Sequence, residues 1–560
     1  MDTLSSFLTH AYLLRVALNG ISDGKPFEEI LKVLLLWLFQ QLGINQIWGL
    51  QRGWIARTGS LKVNKYIYNI LYHKAASVEL ACYENPKYYD KFVKALDECE
   101  WRTGEVMGSF EGIVRSITGI STSLGLLITI DKNLLFFILI PLLTVPFETI
   151  RNKKNFERDM TVREENRKKE YARRTFYLQD YAKEMRLTGM PSLMLSHFKE
   201  SGEKVINIIK KYGFSLTALT YIIFICNEIL TTFGATLYAA YCTLAKGTMG
   251  YGDCIVVVNS IEGVAYTLSD SASRILRFQS SALYIENLRD FLDYEPKLVS
   301  GDIPLPNGGD LSLNNVSFKY DGANDYTLKN VNMHIGAKEK IAIVGHNGAG
   351  KTTLVKLLLR LYDPEGTITY DGTDIKEFDY TAYRDIFGAV MQDYHMFALT
   401  TAENVLLRRK KEGDNEDVVK ALKMSGLYDK VSTYKDKENT LMTREFDENG
   451  EQLSGGQIQK LAISHVYLGS HKFVILDEPS SALDPIAEHE MYLKMTEVCK
   501  DCGMIFISHR LSSVVDSDRI YLMENGTVAE CGTHEELMKK NGKYASMFIR
   551  QAKNYTEVEE

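Results

Sequence analysis

The sequence lacks the cysteine pattern of a disulfide-stapled or zinc-binding protein. Its eight cysteines are scattered along 560 residues, and several lie in apolar segments, at Cys226, Cys242 and Cys254. Cys499 and Cys502 form a C-x-x-C without the second pair that a structural zinc site needs. We therefore expect reduced thiols and no zinc held by cysteine.

The sequence also lacks an excess of positive charge, and its first residues do not resemble a secretory leader. A formal net charge of −7 gives no reason to expect nucleic-acid binding, because phosphate backbones attract basic surfaces. The first residues have no basic region, and His10 and Arg15 interrupt the early apolar run, so no cleavable signal peptide is predicted. Nucleic acid is therefore not among the expected partners.

The two halves of the chain differ in hydropathy and in pattern. The mean hydropathy of the whole chain, −0.15, averages over both. Long apolar runs occur before about residue 280, and strand and helix patterns alternate after about residue 300. The boundary is clearest at Tyr294-Glu295-Pro296 and at the Pro/Gly-rich stretch that follows it. We predict a transmembrane domain at 1–296, a linker at 297–309, an α/β domain at 310–552 and a tail at 553–560.

Six apolar segments of the first half are candidates for crossing a bilayer. They are residues 4–21, 27–50, 113–130, 134–150, 216–244 and 255–276. The first is short for a span, and Asp131-Lys132-Asn133 joins the third and fourth in a tight hairpin. Pro141 and Pro146 predict a kink in the fourth, which neighbouring helices can accommodate.

A polar, strongly basic stretch from Arg151 to Lys211 follows the fourth span. We interpret it as a solvated helical hairpin, in which two helices of roughly 25 residues would project about 35–40 Å beyond the bilayer. Long basic segments follow the second and fourth spans, whereas the intervening loops carry few basic residues. The positive-inside rule therefore places these segments and both termini in the cytoplasm.

Three acidic residues lie inside the predicted spans, namely Glu228, Glu262 and Asp270. One interpretation is a hydrogen bond between helices. The other is a carboxylate that faces a cavity and contacts a polar or cationic substrate, since charged groups are costly in lipid. The sequence leaves both open.

The second half is organised around a stretch that fits G-x-x-x-x-G-K-[ST], between an apolar strand at 341–344 and a helical pattern at 354–359. Glycines let backbone N–H groups approach a β-phosphate, and the helix N-terminus adds a positive dipole. Lys351 would reach the β- and γ-phosphates, and the Thr352 hydroxyl would bind Mg²⁺. The predicted nucleotide-binding residues here are Gly345, Asn347, Gly348, Ala349, Gly350, Lys351, Thr352 and Thr353.

A second buried strand, at 473–476, ends in two acidic residues, Asp477 and Glu478. An acid at the end of such a strand can hold Mg²⁺ directly or through water, and a second can orient or deprotonate an attacking water. We assign Asp477 to the metal and Glu478 to the water.

A second glycine-rich helix start lies between these motifs, at Ser454, Gly455, Gly456 and Gln457. Its N–H groups form another anion-binding end. Because the phosphate loop already supplies one such end, the second is predicted to contact a nucleotide held by another copy. The chain is therefore expected to act as a dimer.

Together these motifs resemble those of an ABC transporter, specifically a half-transporter of the exporter type. The resemblance covers nearly the whole chain, with Walker A at 345–352, the signature at 453–457 and Walker B at 473–477. It implies an α-helical six-span transmembrane domain followed by an α/β P-loop ATPase domain of ABC type, with ATP and Mg²⁺ as cofactors. The family has a full first span preceded by another helix, so the first span here is expected to be shortened.

The resemblance assigns roles to five further residues. Tyr320 matches the adenine-stacking aromatic, and Gln392 matches the Q-loop glutamine, expected to act in catalysis and at the metal. His509 matches the switch histidine that contacts the γ-phosphate, Asp484 the D-loop aspartate and Glu448 the X-loop acid. Without the resemblance, Tyr320 would be interpreted as a strand-end aromatic and His509 as a core histidine.

The resemblance further implies that two ATPase domains close head-to-tail around two ATP molecules. Closure would pass through cytoplasmic loops to the membrane helices, and the segments 85–90 and 177–186 resemble the two coupling helices. After Gln457 the chain has Ile458-Gln459-Lys460, where the family often has a basic residue, Gln and Arg. The sequence departs from that pattern, but Lys460 keeps the positive charge of the arginine.

The sequence thus predicts ATP-driven export or flipping of a peptide, lipid-linked or amphipathic substrate across a bacterial cell membrane. A homodimer is favoured over pairing with a paralogous half-transporter, and the lipid bilayer and the substrate are the other expected partners. The alternatives are an ATP-gated channel or regulatory ABC subunit without uphill transport, and an ATPase tethered by its helices to an interaction partner.

Overall fold

The computed structural model describes residues 12–479 and 485–556. These residues form two compact units. Unit 1 comprises residues up to 76 together with 90–294, and unit 2 comprises 77–89 together with the residues from 295 onward.

Helices make up most of the first 294 residues that the structure describes. The helices are α1 Leu14–Ser22, α2 Phe27–Leu50, α3 Arg57–Ser77, α4 Leu80–Glu84, α5 Pro86–Ile130, α6 Leu135–Leu142, α7 Val145–Tyr177, α8 Glu184–Leu187, α9 Met190–Phe224, α10 Gly234–Leu244 and α11 Tyr251–Leu292. Two π-helical segments, Gln51–Ala56 and Ile225–Phe233, continue α2 and α9, and 3₁₀ turns occur at Lys132–Leu134 and Gln179–Tyr181.

Three helical stretches of the described residues are long and apolar enough to cross a membrane: Trp101–Ile130, Lys132–Tyr177 and Met190–Leu244. They contain the third, fourth and fifth predicted spans. The sixth lies in α11, where Glu262 and Asp270 lower the local hydropathy. The first predicted span falls partly on residues outside the described ranges. The structure therefore supports a helical region with three candidate spans rather than the full six.

A short connection between α5 and α6 agrees with the predicted hairpin. The Asp131 side chain accepts a hydrogen bond from the Asn133 backbone at 2.9 Å and from the Tyr238 hydroxyl at 2.8 Å. After Pro141 the helix is interrupted, and the Thr144 hydroxyl donates to the Pro141 carbonyl at 2.7 Å before α7 begins. A proline cannot continue the helical hydrogen-bond ladder, so the break falls where its sequence position predicts it.

Unit 2 is built on two sheets and the helices that pack on them. The strands are β1 Leu311–Phe318, β2 Leu328–Ile335, β3 Lys340–Val344, β4 Glu365–Tyr370, β5 Thr373–Asp374, β6 Phe387–Val390, β7 Phe473–Asp477, β8 Gly503–Ile507, β9 Arg519–Glu524 and β10 Thr527–Gly532. The helices are α12 Lys351–Leu358, α13 Tyr380–Asp385, α14 Thr401–Leu406, α15 Asn415–Met424, α16 Tyr428–Ser432, α17 Gly455–Val466, α18 Pro485–Val498, α19 His534–Lys540 and α20 Lys543–Thr556.

The larger sheet has the order β10-β9-β3-β8-β7-β6, and the smaller antiparallel sheet has the order β2-β1-β4-β5. β3, β8, β7 and β6 pair in parallel, and β7 and β8 are buried along their whole length. Continuous apolar strands are typical of a parallel sheet covered on both faces. Because the carboxyl ends of β3, β6 and β7 meet at one edge, the segments after them come together there.

Candidate nucleotide-binding site

The loop between β3 and α12 needs glycine for two different reasons. Gly350 has a φ of 99°, and a Cβ there would lie 2.7 Å from the Leu328 side chain. At Gly345 a Cβ would lie 2.4 Å from the Met523 carbonyl oxygen. A side chain at either position would push the loop away from the sheet. Glycine at these two positions therefore lets the loop backbone pass close to Leu328 and to the Met523 carbonyl.

Lys351, the first residue of α12, lies folded over this loop. Its ammonium donates to the carbonyls of Gly345 at 3.0 Å and His346 at 3.3 Å. It also lies 3.6 Å from Glu478 Oε1, and its side chain is 6% exposed. The contacts place one cation where the phosphate loop, β3 and β7 meet.

Asp477 ends β7 and is fully buried. Within the described residues, neither of its carboxylate oxygens has a hydrogen-bond partner. Burial raises the pKa of Asp477 to about 6, and the Glu478 charge adds to this, while Thr352 and Lys351 act in the opposite direction. A buried acceptor without a donor is costly, so this carboxylate is suited to a cation.

Glu478 follows in a strained backbone conformation that aims its side chain at the loop. Its φ is 48°, and its backbone N–H donates to the Ile507 carbonyl at 3.0 Å. The Gln392 amide nitrogen donates to Glu478 Oε2 at 3.1 Å. Non-glycine residues rarely adopt this conformation, and such strain clusters at functional sites.

These groups surround a cleft of about 270 Å³. Its lining residues are Thr327, Asn347, Gly348, Gly350, Lys351, Thr352, Thr353, Gln392 and Glu478. The structure therefore unites most of the predicted phosphate-loop residues with Gln392 and Glu478. Thr327 is the lining residue that the sequence did not reveal, because it precedes β2 outside any motif.

The residues present fit a magnesium ion. Mg²⁺ prefers oxygen ligands and is usually held by one or two protein groups together with phosphates and water. Asp477 supplies an unpartnered buried carboxylate, and the Thr352 hydroxyl lies close enough to influence its pKa. The described residues contain no group of three or more His, Cys, Asp or Glu side chains that could hold a metal alone. A site that relies on phosphate ligands is consistent with both observations.

Tyr320 lies beside the phosphate-loop helix. Its hydroxyl is 3.1 Å from Thr353 Oγ1, and its ring packs edge-on against Phe318 and Tyr362. Tyr320 does not line the phosphate cleft among the residues described. Its contact with Thr353 places it at the side of α12.

The signature residues lie outside the cleft formed by their own chain, as far as the structure describes it. Ser454 is exposed and caps α17, and its backbone N–H donates to Gln457 Oε1 at 2.9 Å. Gly455 is exposed and Gly456 half-buried at the start of the same helix. The helix α17 is twelve residues long, and its N-terminus is accessible. It is thus available to a ligand from outside the chain.

Three further predicted site residues lie away from the cleft or outside the described residues. His509 follows β8 with an exposed side chain, and its carbonyl accepts a hydrogen bond from Gln551 at 2.7 Å. Glu448 is exposed in the loop before the signature. Asp484 lies outside the described residues. Neither His509 nor Glu448 is among the described residues that line the cleft.

Among the acids of the predicted spans, Asp270 has a partner on its own helix. Its carboxylate accepts a hydrogen bond from Arg274 at 2.6 Å, and Arg274 also donates to the Gly108 carbonyl at 3.2 Å. This favours the helix-packing interpretation for Asp270. Glu228 lies in the π-helical segment and Glu262 in α11, and both side chains are exposed in the chain.

Replacing Asp477 by asparagine should stabilise the nucleotide-free protein at neutral pH. Folding raises the pKa of Asp477 from 3.8 to about 6, so ionisation of the folded state is penalised. Ionisation of Asp477 therefore lowers the free energy of unfolding. This loss is small below pH 4, grows as the pH rises to 6 and then stays at about 3 kcal/mol, which corresponds to the difference of about two pKa units. Thermal unfolding of the ATP-free chain at pH 4.5 and 7.5 measures this. Equal gains at both pH values would contradict the raised pKa.

The fold and the cleft define a P-loop ATPase domain in which a phosphate loop, a strand-end acid pair and a glutamine meet. Residues 328–481 match the family model described as "ABC transporter". Residues 328–481 thus belong to an ABC transporter ATPase domain, and membrane-length helices precede this domain in the chain.

Two relatives and one solved structure extend the comparison. The chain is 29% identical to the subtilin transport ATP-binding protein SpaT of Bacillus subtilis, over 97% of this chain and 89% of that protein. It is 33% identical to the ATP-dependent lipid A-core flippase of Salmonella typhimurium, over 56% of this chain and 54% of the flippase. The chain thus spans about half the length of that flippase.

The structure of a bacterial Atm1-family ABC exporter with ATP bound superimposes with a TM-score of 0.78 at 22% identity, covering 98% of this chain and 96% of that one. This likeness shows that the helical region and the ATPase domain adopt the exporter fold.

Proposed function

We propose that the chain is one half of a dimeric exporter or flippase that moves a peptide, lipid-linked or amphipathic substrate by alternating access. The carrying observation is that Lys351, Gln392 and Glu478 converge on one cleft in a chain that also holds membrane-length helices. ATP hydrolysis in that cleft supplies the free energy.

Six spans in domain 1–296 are followed by the linker 297–309 and the ATPase domain 310–552. The ATPase domain lies in the cytoplasm of a bacterial cell with the spans in the plasma membrane. The basic segment 151–211 supports this orientation because positive loops stay inside.

Each residue of the cleft has a separate role in ATP hydrolysis. Thr352, Asp477 and Gln392 would hold Mg²⁺, which neutralises charge on the β- and γ-phosphates. Lys351 and the loop N–H groups bind the phosphates, and adenine stacks on Tyr320. Glu478, held by Gln392, orients the attacking water and receives its proton, and His509 contacts the γ-phosphate after closure.

A second copy completes each site. The N-terminus of α17, with Ser454 and the two glycines, lies exposed outside the cleft of its own chain. It therefore serves the nucleotide bound by the partner, together with Asp484. Both motif sets are intact on this chain, which favours a homodimer over pairing with a paralogue.

Uphill transport distinguishes an exporter from a channel or a regulatory subunit. Inside-out membrane vesicles that contain this chain should accumulate a cationic amphipathic dye above its external concentration when ATP is added. Vesicles with Glu478→Gln should only equilibrate. An ATP-dependent dye flux that stops at equilibrium would support the gated channel instead.

Glu228 and Glu262 are the proposed contacts for a cationic or peptide substrate, because exposed carboxylates in lipid are costly unless they face a cavity. Replacing both by glutamine should lower the rate of dye uptake about tenfold, the equivalent of ~1.4 kcal/mol. Glu157→Gln, an exposed glutamate on α7, is the matched control. Unchanged uptake in the double variant would remove these residues from the substrate path.

A further inference from the structure

A cavity of about 980 Å³ lies among the helices of unit 1. Helices α5, α7 and α9 contribute to its lining, and α7 packs along α9. Its charged lining residues are the five cations Lys94, Arg163, Arg167, Lys169 and Arg173 and the three carboxylates Glu98, Glu164 and Glu170. The cavity therefore has an excess of positive charge.

Each of the three carboxylates has a cation within ion-pair distance. The nitrogen–oxygen distances are 2.9 Å for Glu98–Arg102, 3.6 Å for Glu164–Lys168 and 3.3 Å for Glu170–Arg173. Two of these partners, Arg102 and Lys168, do not line the cavity. The acids are thus engaged elsewhere and leave most of the lining cations without a counter-charge.

Two arginines one turn apart on α7 are the centre of this positive surface. Within the described ranges of the chain, no hydrogen bond or ion pair engages the side chains of Lys94, Arg163 or Arg167. Residues four apart on a helix share a face, so the two guanidinium groups are neighbours. Planar guanidinium forks bind phosphate, sulfonate-like and carboxylate groups through paired hydrogen bonds.

The same cavity also offers apolar surface. Met160 and Phe198 line it with side chains that are 49% and 39% exposed, and the Lys169 ammonium lies 5.5 Å from the centre of the Phe198 ring. Small-molecule sites commonly measure about 300–1,000 Å³ and combine apolar walls with a few polar groups. The cavity therefore suits a ligand that carries several negative charges on an apolar body.

The position of the arginines along α7 favours a ligand from solution over a lipid headgroup. The predicted fourth span ends at residue 150, and α7 continues from Val145 to Tyr177. At 1.5 Å per residue, Arg163 lies roughly 20 Å beyond that end along the helix, and Arg167 roughly 25 Å. The headgroup layer on each side of a bilayer is only about 5–8 Å thick.

We propose that Lys94, Arg163, Arg167 and Lys169 form a binding site for a soluble, multivalent anion with an aromatic or aliphatic body. Charge complementarity selects the anion, and Met160 and Phe198 contact its apolar part. None of the described lining residues of this cavity lines the phosphate cleft. Binding at this site therefore does not require ATP hydrolysis.

Pyranine, an aromatic trisulfonate, is the probe that tests this site. Its fluorescence anisotropy is followed with the full-length chain in zwitterionic lipid discs, and excess magnesium ADP occupies the phosphate cleft. Pyranine should bind saturably, and tripolyphosphate should displace it. Arg163→Gln combined with Arg167→Gln should weaken binding at least about tenfold, because charge-assisted hydrogen bonds are lost. The matching pair of lysine substitutions keeps the charge without the fork and should lose less.

The matched control combines Lys153→Gln with Arg174→Gln, two exposed cations of α7 that do not line the cavity. Its pyranine affinity should equal that of the parent chain. An equal loss in the control would reduce the effect to general attraction by the basic segment and overturn the site. A parent chain without saturable pyranine binding would also overturn it.

Two further arms identify the ligand class. Phosphatidylglycerol in the discs should not displace pyranine, and displacement would assign the arginines to a lipid headgroup instead. Phe198→Ala should weaken pyranine binding but leave displacement by tripolyphosphate at the same concentration, since only pyranine has an apolar body. This variant tests the site even if the double arginine variant does not fold, and an unchanged pyranine affinity would contradict the apolar contact.

Discussion

Replacing Glu478 by glutamine should lower the ATP turnover of this chain at least about a hundredfold, within the range expected for losing a positioned general base. The carboxylate is 3.6 Å from Lys351 and accepts a hydrogen bond from Gln392 at 3.1 Å. Glutamine keeps the shape but cannot receive a proton from the attacking water. ATP affinity should stay within about threefold, because the phosphate loop and Lys351 are untouched.

The measurement uses the purified chain in lipid discs, with phosphate release and nucleotide binding followed on the same preparation. Glu412→Gln, an exposed glutamate in a loop of unit 2, controls for the loss of one negative charge. Turnover of Glu478→Gln within tenfold of the parent would assign the base to another residue. A parent without turnover that still binds ATP would point to a missing partner subunit.

The phosphate loop could be predicted because its constraints are local. Gly345 and Gly350 are required by the close approach of β9 and of Leu328, and both lie within eight residues of the strand that precedes them. The strand predicted at 341–344 and the acids that end β7 were found because a buried parallel strand is apolar along its length. The match of residues 328–481 to the ABC transporter family model confirms the resemblance that was inferred from these motifs.

Contacts between distant segments could not be predicted in the same way. Thr327 enters the cleft through the sheet pairing, and Lys356 contacts Glu84 although 272 residues separate them. Neither residue stands in a motif, and a lysine on a helix is usually solvated. The placement of Ser77–Tyr89 with the ATPase domain likewise depends on packing that no periodicity reveals.

The membrane half was predicted less completely because hydropathy averages over a helix. α11 is long enough to span a bilayer, but its acidic residues dilute its apolar character. The π-helical segment Ile225–Phe233 gives no sequence signal, although the Thr231 and Thr232 hydroxyls bond to carbonyls five residues earlier, at 2.8 and 3.0 Å. Such segments are frequent at functional sites, which supports testing Glu228 within it.

Two inactive variants of this chain should restore activity to each other when mixed. Lys351→Met removes the phosphate-binding ammonium, and Ser454→Arg blocks the exposed start of α17 with a bulky side chain. Each homodimer then has two defective sites. In a mixed dimer, the Ser454→Arg chain supplies an intact phosphate loop, and the Lys351→Met chain supplies an intact signature.

One site of each mixed dimer is therefore complete. If the chains exchange freely, half of the dimers are mixed, so turnover should recover to about a quarter of the parent value if each site acts independently. Co-expression from two tagged genes, followed by tandem purification of mixed dimers, should raise the recovery to about half. The control mixes Lys351→Met with Glu478→Gln, whose lesions lie in the same cleft and leave no complete site.

Recovery with the first pair and none with the second requires that Ser454 and Lys351 act on one nucleotide from different chains. The exposure of Ser454 outside its own cleft is the structural reason to expect this result. If the sites act independently, equal failure of both mixtures would mean that the signature serves a paralogous partner or its own chain. The experiment thus decides between a self-sufficient homodimer and an obligate heterodimer without knowledge of the transported substrate.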